Sequence, residues 1–337
     1  MQRFIRSRQC LQKCDKPSPT GANVLVRVHA ASINPVDWKM LDGWFGMIRP
    51  FLTDGCGFDF AGTIEKVGPR CHKWQVGERV FGCTSVTNTG SLATHIIVPS
   101  TSIATVPERL TLKEAAAIPL AGLTAAKCMA NVQKGASVLV LGGGTSVGQM
   151  CVQLAKRKGA EVNICTCSQR KHERLYEFGA TRCVDYCSKD IWRVIHEHNW
   201  SFDVIIDTVA TPNIYDLCCT RFTHTNKYPL KQGGQLITVT GDKQCPMSIV
   251  DLGRRGWQLL KRNAYLFFGH GKAKYCQYVQ NGSTTDQLEK LVDSGVVLPL
   301  DDMPFVLSTA SILRAFARAR SWRSTGKVIV VVSSAPT

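Results

Sequence analysis

Residues 142–148 read Gly-Gly-Gly-Thr-Ser-Val-Gly. They follow the apolar run Val138-Leu139-Val140-Leu141 and precede a segment in which Val147, Met150, Cys151, Leu154 and Ala155 recur at helical spacing before Gly159. Glycines between a buried strand and a helix permit a tight turn and let the backbone approach a pyrophosphate, whose charge then sits at the positive end of the helix. Gly142, Gly143, Gly144, Thr145, Ser146, Val147 and Gly148 are therefore the candidate phosphate cradle. Gly142 and Gly148 fill the outer positions of the glycine pattern. Thr145 holds the middle one and adds a side chain where the pyrophosphate would come closest. A turn that binds nothing is the alternative, and the strand before it and the helix after it weigh against that.

The residues about twenty positions further on choose between dinucleotides. An acid there would accept the ribose 2′-hydroxyl of NAD. This chain instead has Cys167-Ser168-Gln169-Arg170-Lys171, and the Ser168 hydroxyl with the Arg170 and Lys171 cations suits a 2′-phosphate. A solvated helix start is the competing reading. The expected cofactor is NADPH.

Other groups with chemical potential carry less. His196-Glu197-His198 suggests metal ligation, but on a helix these residues point to different faces. The fifteen cysteines include no Cys-x-x-Cys spacing, and in a chain this long without a secretory signal they read as reduced thiols packed as small hydrophobes. An excess of 41 Lys and Arg over 25 Asp and Glu, a formal charge of +16, would attract phosphate-bearing ligands. It leaves nucleic acid open, but the aromatic and basic interleaving of RNA-binding modules is missing. No apolar run is long enough to span a bilayer. Residues 1–14 carry Arg3, Arg6, Arg8 and Lys13 with no acid, which fits either a mitochondrial transit peptide or a first basic strand. The strand is preferred, and with it a cytoplasmic location.

The elements that must position these groups fall into two patterns. The first third holds short strand candidates, with Asn23 to Ala30 alternating and further strands at Gly57 to Val67, Val76 to Phe81 and Ser91 to Val98. Thr111 and Glu114 have capping-box spacing before an apolar helix. From Ser137 strands and helices alternate. Strands are expected at Ser137 to Leu141, Glu161 to Cys167, Arg182 to Asp185, Phe202 to Asp207, Gln235 to Thr240 and Ala264 to Phe268, with helices at Val147 to Lys158 and Lys171 to Phe178. That alternation predicts a parallel, doubly wound α/β sheet. Helices around Asp286 to Ser294 and Ala310 to Ala319 and a strand at Lys327 to Val332 exceed what the sheet needs, so the tail is expected to return to the first domain.

Taken together, Ala30-Ala31-Ser32-Ile33-Asn34-Pro35-Val36-Asp37, Gly57-Phe58-Asp59-Phe60-Ala61-Gly62, Val76-Gly77-Glu78-Arg79-Val80-Phe81-Gly82, Ala115 to Ala125, the glycine turn, Phe178-Gly179-Ala180 and Gly326-Lys327-Val328 resemble the medium-chain dehydrogenase/reductase superfamily in its zinc-free quinone-oxidoreductase-like branch. The spacing of the tail is similar to that of the reticulon-interacting mitochondrial members. The resemblance implies a GroES-like β-rich catalytic domain around a Rossmann domain, divided here at 1–118, 119–276 and 277–337. In zinc-dependent relatives a Cys stands at Asn34 and a Gly-His-Glu at Gly57-Phe58-Asp59. Both ligand positions are changed, and Cys71 and Cys83 are too isolated for a structural four-cysteine lobe.

Without a Lewis acid, the accessible reaction is hydride transfer to a polarised double bond, to the β-carbon of an α,β-unsaturated carbonyl or to a quinone. The developing enolate needs donors, and Asn34 and Lys39 are the candidates, with a ribose hydroxyl of the cofactor. The resemblance also places Thr124 near the nicotinamide and Tyr186 near the adenosine phosphate, and implies a homodimer. Lys39 and Leu41 replace the Tyr and Arg of many quinone reductases. With Thr145 and the basic charge, that departure motivates a second reading, a catalytically weak NADPH-binding regulatory or RNA-binding protein on the same fold.

Overall fold

The computed structural model describes residues 1–42, 54–85, 90–219, 228–239, 271–275 and 283–333. They belong to two compact units, Met1–Leu123 with Val279–Thr337, and Thr124–Tyr278.

The first unit is β-rich. It begins with the hairpin β1 (Gln2–Ile5) and β2 (Cys10–Lys13), antiparallel with Gln2 opposite Lys13. The basic N-terminal segment is thus strand, anchored by the fully buried Phe4, whose ring lies 6.2 Å from that of Phe316. Next come β3 (Asn23–Ser32), α1 (Pro35–Leu41), β4 (Asp59–Val67), β5 (Arg79–Cys83), β6 (His95–Pro99), β7 (Ile103–Thr105) and α2 (Leu112–Ala117). Thr111 and Glu114 form the expected capping box, with Glu114 N–H donating to the Thr111 hydroxyl at 3.2 Å and Thr111 N–H to the Glu114 carboxylate at 2.8 Å.

Strand β3 organises this unit. It pairs with β4 along one edge and with β6 and the last strand along the other. Covered on both faces, it is buried nearly throughout, with Arg27 the exposed position. The alternation expected for it is absent, because a central strand under two layers has no solvent face. One face carries Val24, Val26, Val28, Phe60, Ile64 and Val80. The tail supplies α8 (Thr285–Asp293), β14 (Phe305–Val306), α9 (Thr309–Arg320) and β15 (Ile329–Val331). It returns to this unit, where β15 lies antiparallel to β3 with Ile329 opposite Ser32.

The second unit is a parallel sheet: β8 (Ser137–Leu141), β9 (Val162–Cys167), β10 (Arg182–Asp185), β11 (Phe202–Asp207), β12 (Leu230–Thr238) and β13 (Gly271–Tyr275), in the spatial order β10-β9-β8-β11-β12-β13. Counted within the unit this is 3-2-1-4-5-6, the doubly wound order, whose switch point lies between β8 and β11. Helices α4 (Ser146–Arg157), α5 (His172–Glu177), α6 (Ile191–Glu197) and α7 (Ile214–Cys219) connect the strands, and α3 (Pro119–Cys128) spans the division between the units. Strand β12 starts five residues earlier than its apolar run indicates. The strand expected at Ala264 to Phe268 lies outside the described residues, and β13 is the sixth strand among them.

Candidate cofactor and active site

The switch point is where the glycine loop stands. Gly142 takes a positive φ of 82°, and its N–H donates to the Thr166 hydroxyl at 2.8 Å while Gly143 N–H donates to the Thr166 carbonyl, also at 2.8 Å. The loop is therefore pinned to β9. The close approaches explain the residue type: a Cβ on Gly143 would stand 2.7 Å from Cys165 Cβ, and one on Gly148 would stand 2.2 Å from the Gly142 carbonyl oxygen. Thr145 does something other than crowd a phosphate. It is the N-cap of α4, its hydroxyl accepting from Gly148 N–H at 3.0 Å and lying 3.0 Å from the hydroxyl of Thr208, which donates back to the Leu141 and Gly142 carbonyls. The middle position of the pattern is spent on capping the helix that would carry the phosphate. Ser146 and Val147 form its first turn.

Beside this loop, residues 169–171 form a single turn of 3-10 helix after Ser168. Arg170 is exposed, whereas the Lys171 ammonium is drawn over the loop and donates to the Gly144 carbonyl at 2.8 Å. Burial lowers the Lys171 pKa, and the neighbouring Arg170 and Arg174 charges lower it further. An ammonium held against a glycine loop by a carbonyl is placed beside where phosphate oxygens would lie. Tyr186, just past β10, is 62% exposed. Thr124 is buried within α3.

The β-rich unit holds a buried polar cluster assembled from distant segments. Asn34 is the N-cap of α1; its N–H donates to Asp37 Oδ2 at 2.6 Å and its backbone carbonyl accepts from Asp37 N–H at 3.0 Å. The Asn34 amide donates to Asp59 Oδ2 at 2.8 Å, and its carbonyl accepts from Lys327. Asp59 also accepts from Ser32 at 3.0 Å and from Leu120 N–H at 2.9 Å, and its carboxylate lies 3.6 Å from the Lys327 ammonium. All five side chains, those of Ser32, Asn34, Asp37, Asp59 and Lys327, are buried. Burial is the leading influence on each charge: it raises the Asp37 pKa to about 8, raises Asp59 against the pull of Lys327 and Asn34, and lowers Lys327 against the two carboxylates. Asp37 Oδ1 has no hydrogen-bond partner, so little offsets the cost that burial puts on the ionised form.

This cluster shows where the site reading changes. Asn34, expected to face substrate, is 3% exposed, with both ends of its amide engaged within the cluster. Lys39 lies farther along α1, partly buried, its ammonium 5.8 Å from the centre of the Trp38 ring. Burial lowers its pKa. Asp37, Asp59 and Lys327 were not singled out as members of a buried polar cluster. The available signal was a charged residue inside an apolar stretch: Asp59 stands between Phe58 and Phe60, and Lys327 precedes Val-Ile-Val. The two positions at which zinc-dependent relatives hold ligands are altered. Asn34 and the buried, apolar Phe58 offer no suitable ligand, and the Lys327 ammonium already supplies the positive charge beside Asp59. Elsewhere, Glu197 pairs with Arg193 at 2.8 Å and the His198 ring stacks on Trp200 at 4.8 Å.

The family model of the alcohol dehydrogenase GroES-like domain matches residues 20–108, and that of the zinc-binding dehydrogenases matches residues 146–225. A 2-methylene-furan-3-one reductase of Solanum lycopersicum is 30% identical over 316 residues, covering 91% of this chain and 71% of that protein. The chain belongs to the medium-chain dehydrogenase/reductase superfamily. Within this family of oxidoreductases using nicotinamide cofactors, the mitochondrial NAD(P)H oxidoreductase RTN4IP1 of Danio rerio is 26% identical over 336 residues, covering 92% of this chain and 83% of that protein. The quinone oxidoreductase of Coxiella burnetii superposes with a TM-score of 0.74 at 25% identity, covering 98% of each chain. Among the described residues no helix is long and apolar enough to cross a membrane.

Proposed function

We propose that this dehydrogenase/reductase is an NADPH-dependent reductase of α,β-unsaturated carbonyls or quinones that works without zinc. The observation that carries the proposal is the glycine loop at the β8/β11 switch point with the Lys171 ammonium on its Gly144 carbonyl and no carboxylate in the Ser168 to Lys171 turn. The reductase and oxidoreductase names of its relatives agree with it.

Gly142 to Gly148 and the N-terminus of α4 would hold the pyrophosphate, Ser168, Arg170 and Lys171 the 2′-phosphate, Thr124 the nicotinamide side and Tyr186 the adenosine side. A nicotinamide held there would supply the hydride for the electrophilic carbon of the substrate. Lys39 donates to the oxygen that gains charge, and its burial-lowered pKa lets it pass a proton more readily than an exposed lysine. Asn34 is a positioning residue, fixing the start of α1, the helix that carries Lys39.

The test titrates the purified protein with NADPH and NADH and follows NADPH oxidation against a panel of quinones and enones. Turnover on at least one class is expected. Binding without turnover across the panel would refute the enzyme. In the Arg170→Ala, Lys171→Ala double variant, NADPH affinity should fall roughly 10–100-fold, the range for lost charge-assisted hydrogen bonds, while NADH affinity stays unchanged. An unaltered preference overturns the 2′-phosphate assignment.

A further inference from the structure

Strands β9 and β10 run parallel with Cys165 opposite Cys183. Residues two apart on a strand share a face, so Cys165 and Cys167 project to the same side. Cys183 meets them there. The three sulfurs lie within 4.8 Å of one another, and those of Cys165 and Cys183 are 3.6 Å apart. Sulfurs bound to one ion at about 2.3 Å each stand about 4 Å apart in a trigonal plane. The observed separations bracket that value, so adjustments on the scale of a side-chain rotamer would bring all three onto a common ion.

Nothing in the proposed hydride transfer uses these thiols. Packing alone would accept any small apolar side chain and does not need three sulfurs to converge. Cys165 and Cys167 are buried and Cys183 partly so, and the cluster lies directly beneath the glycine loop, since a Cβ on Gly143 would meet Cys165 Sγ at 3.0 Å.

We propose that Cys165, Cys167 and Cys183 form a three-thiolate site for a soft, three-coordinate ion of the monovalent copper or trivalent arsenic class. Thiolates select soft ions. Zinc prefers a fourth protein ligand or a water, and among the described residues this group has three members, none of them a histidine or carboxylate. Arsenous acid would exchange its three hydroxyls for three As–S bonds. Each hydroxyl leaves as water with one thiol proton, the arsenic stays trivalent, and the buried product is neutral. Monovalent copper would displace three thiol protons to solvent with no change of oxidation state, leaving a dianionic complex that the nearby Lys171 cation partly offsets.

The experiment uses the full chain, reduced and free of oxygen, titrated separately with arsenite, with copper(I) in a chelator buffer and with zinc(II). Native mass spectrometry reads the ions bound per chain. One equivalent of arsenic or copper is expected, and X-ray absorption of the singly loaded protein should show three sulfur neighbours. The ion that loads distinguishes the two chemistries. Cys167→Ser and Cys183→Ser should each lose the equivalent, while Cys14→Ser and Cys187→Ser, at exposed positions, should keep it. Uptake of less than one equivalent by the wild type, a sulfur count of two, or retention of the equivalent by Cys183→Ser overturns the site. The sulfur count is read on the wild type, so a variant that fails to fold leaves the proposal open to refutation.

Discussion

The glycine loop of the parallel sheet and the buried cluster of the β-rich unit are both polar sites held inside apolar frames, but they are assembled in opposite ways. The loop comes from consecutive residues. Its shape is set by a positive φ, a few close approaches and the Thr145 cap, and its neighbour Lys171 arrives from the very next strand. The cluster gathers Ser32, Asn34, Asp37, Asp59 and Lys327 from both ends of the chain and binds its charges to one another. The loop spends the N–H groups of Gly142, Gly143 and Gly148 on fixing its own shape against Thr166 and Thr145. A cluster whose charges satisfy each other holds strands and a helix in register, and so makes the frame on which Lys39 is carried.

That contrast can be broken experimentally. The largest effect is expected for Lys327→Met, which leaves Asp59 buried without its cation and should cost about 3–5 kcal/mol by denaturant unfolding. Adding Asp59→Asn should recover part of the loss, and if the double variant is no more stable than the single one, the pairing is not what holds the strands. Gly148→Ala should cost roughly 1–3 kcal/mol through its clash with the Gly142 carbonyl. It should also weaken dinucleotide binding, an effect the Lys327 change should produce only through global unfolding.

The cluster also has a pH signature that the loop lacks. The Asp37 pKa is raised from an ordinary 3.8 to about 8, so the native state holds a proton that the unfolded chain releases. The stability this contributes is complete below about pH 4 and is lost as pH rises toward 8. Asp37→Asn keeps an acceptor for Asn34 N–H and should flatten that decline, which the linkage relation puts on the order of 3–4 kcal/mol between pH 5 and 8. Identical slopes in variant and wild type would show that Asp37 is ionised in the fold. The smallest effect is expected for Thr145→Ala, a lost N-cap of about 1 kcal/mol, with dinucleotide affinity falling alongside stability because cap and cradle are one structure.

How much of this was legible beforehand follows the same division. Strands Ser137–Leu141, Arg182–Asp185 and Phe202–Asp207 have the bounds the sequence predicts; the first is buried at every position, as a strand covered on both faces of a parallel sheet must be, and is the most apolar of the three. Strand β3 misled for the complementary reason: its burial depends on partners from residues 95–99 and 329–331, which no local window contains. Thr145 was legible as a departure from the glycine pattern but not as a cap, since that role rests on where its hydroxyl turns.

By itself the sequence determined the alternation of strands and helices, the glycine loop, the basic turn after Cys167, the absence of an acid there and the capping box at Thr111. Each is a property of neighbouring residues, fixed by backbone conformation and hydrophobic period. Only the tertiary structure decided that Asn34 is turned inward to Asp59 and Lys327, that Asp37 is buried, which raises its pKa, and that three cysteines from two strands converge. Those facts depend on segments up to 293 positions apart, and on burial, which sets the cost of a charge and is a property of the whole fold.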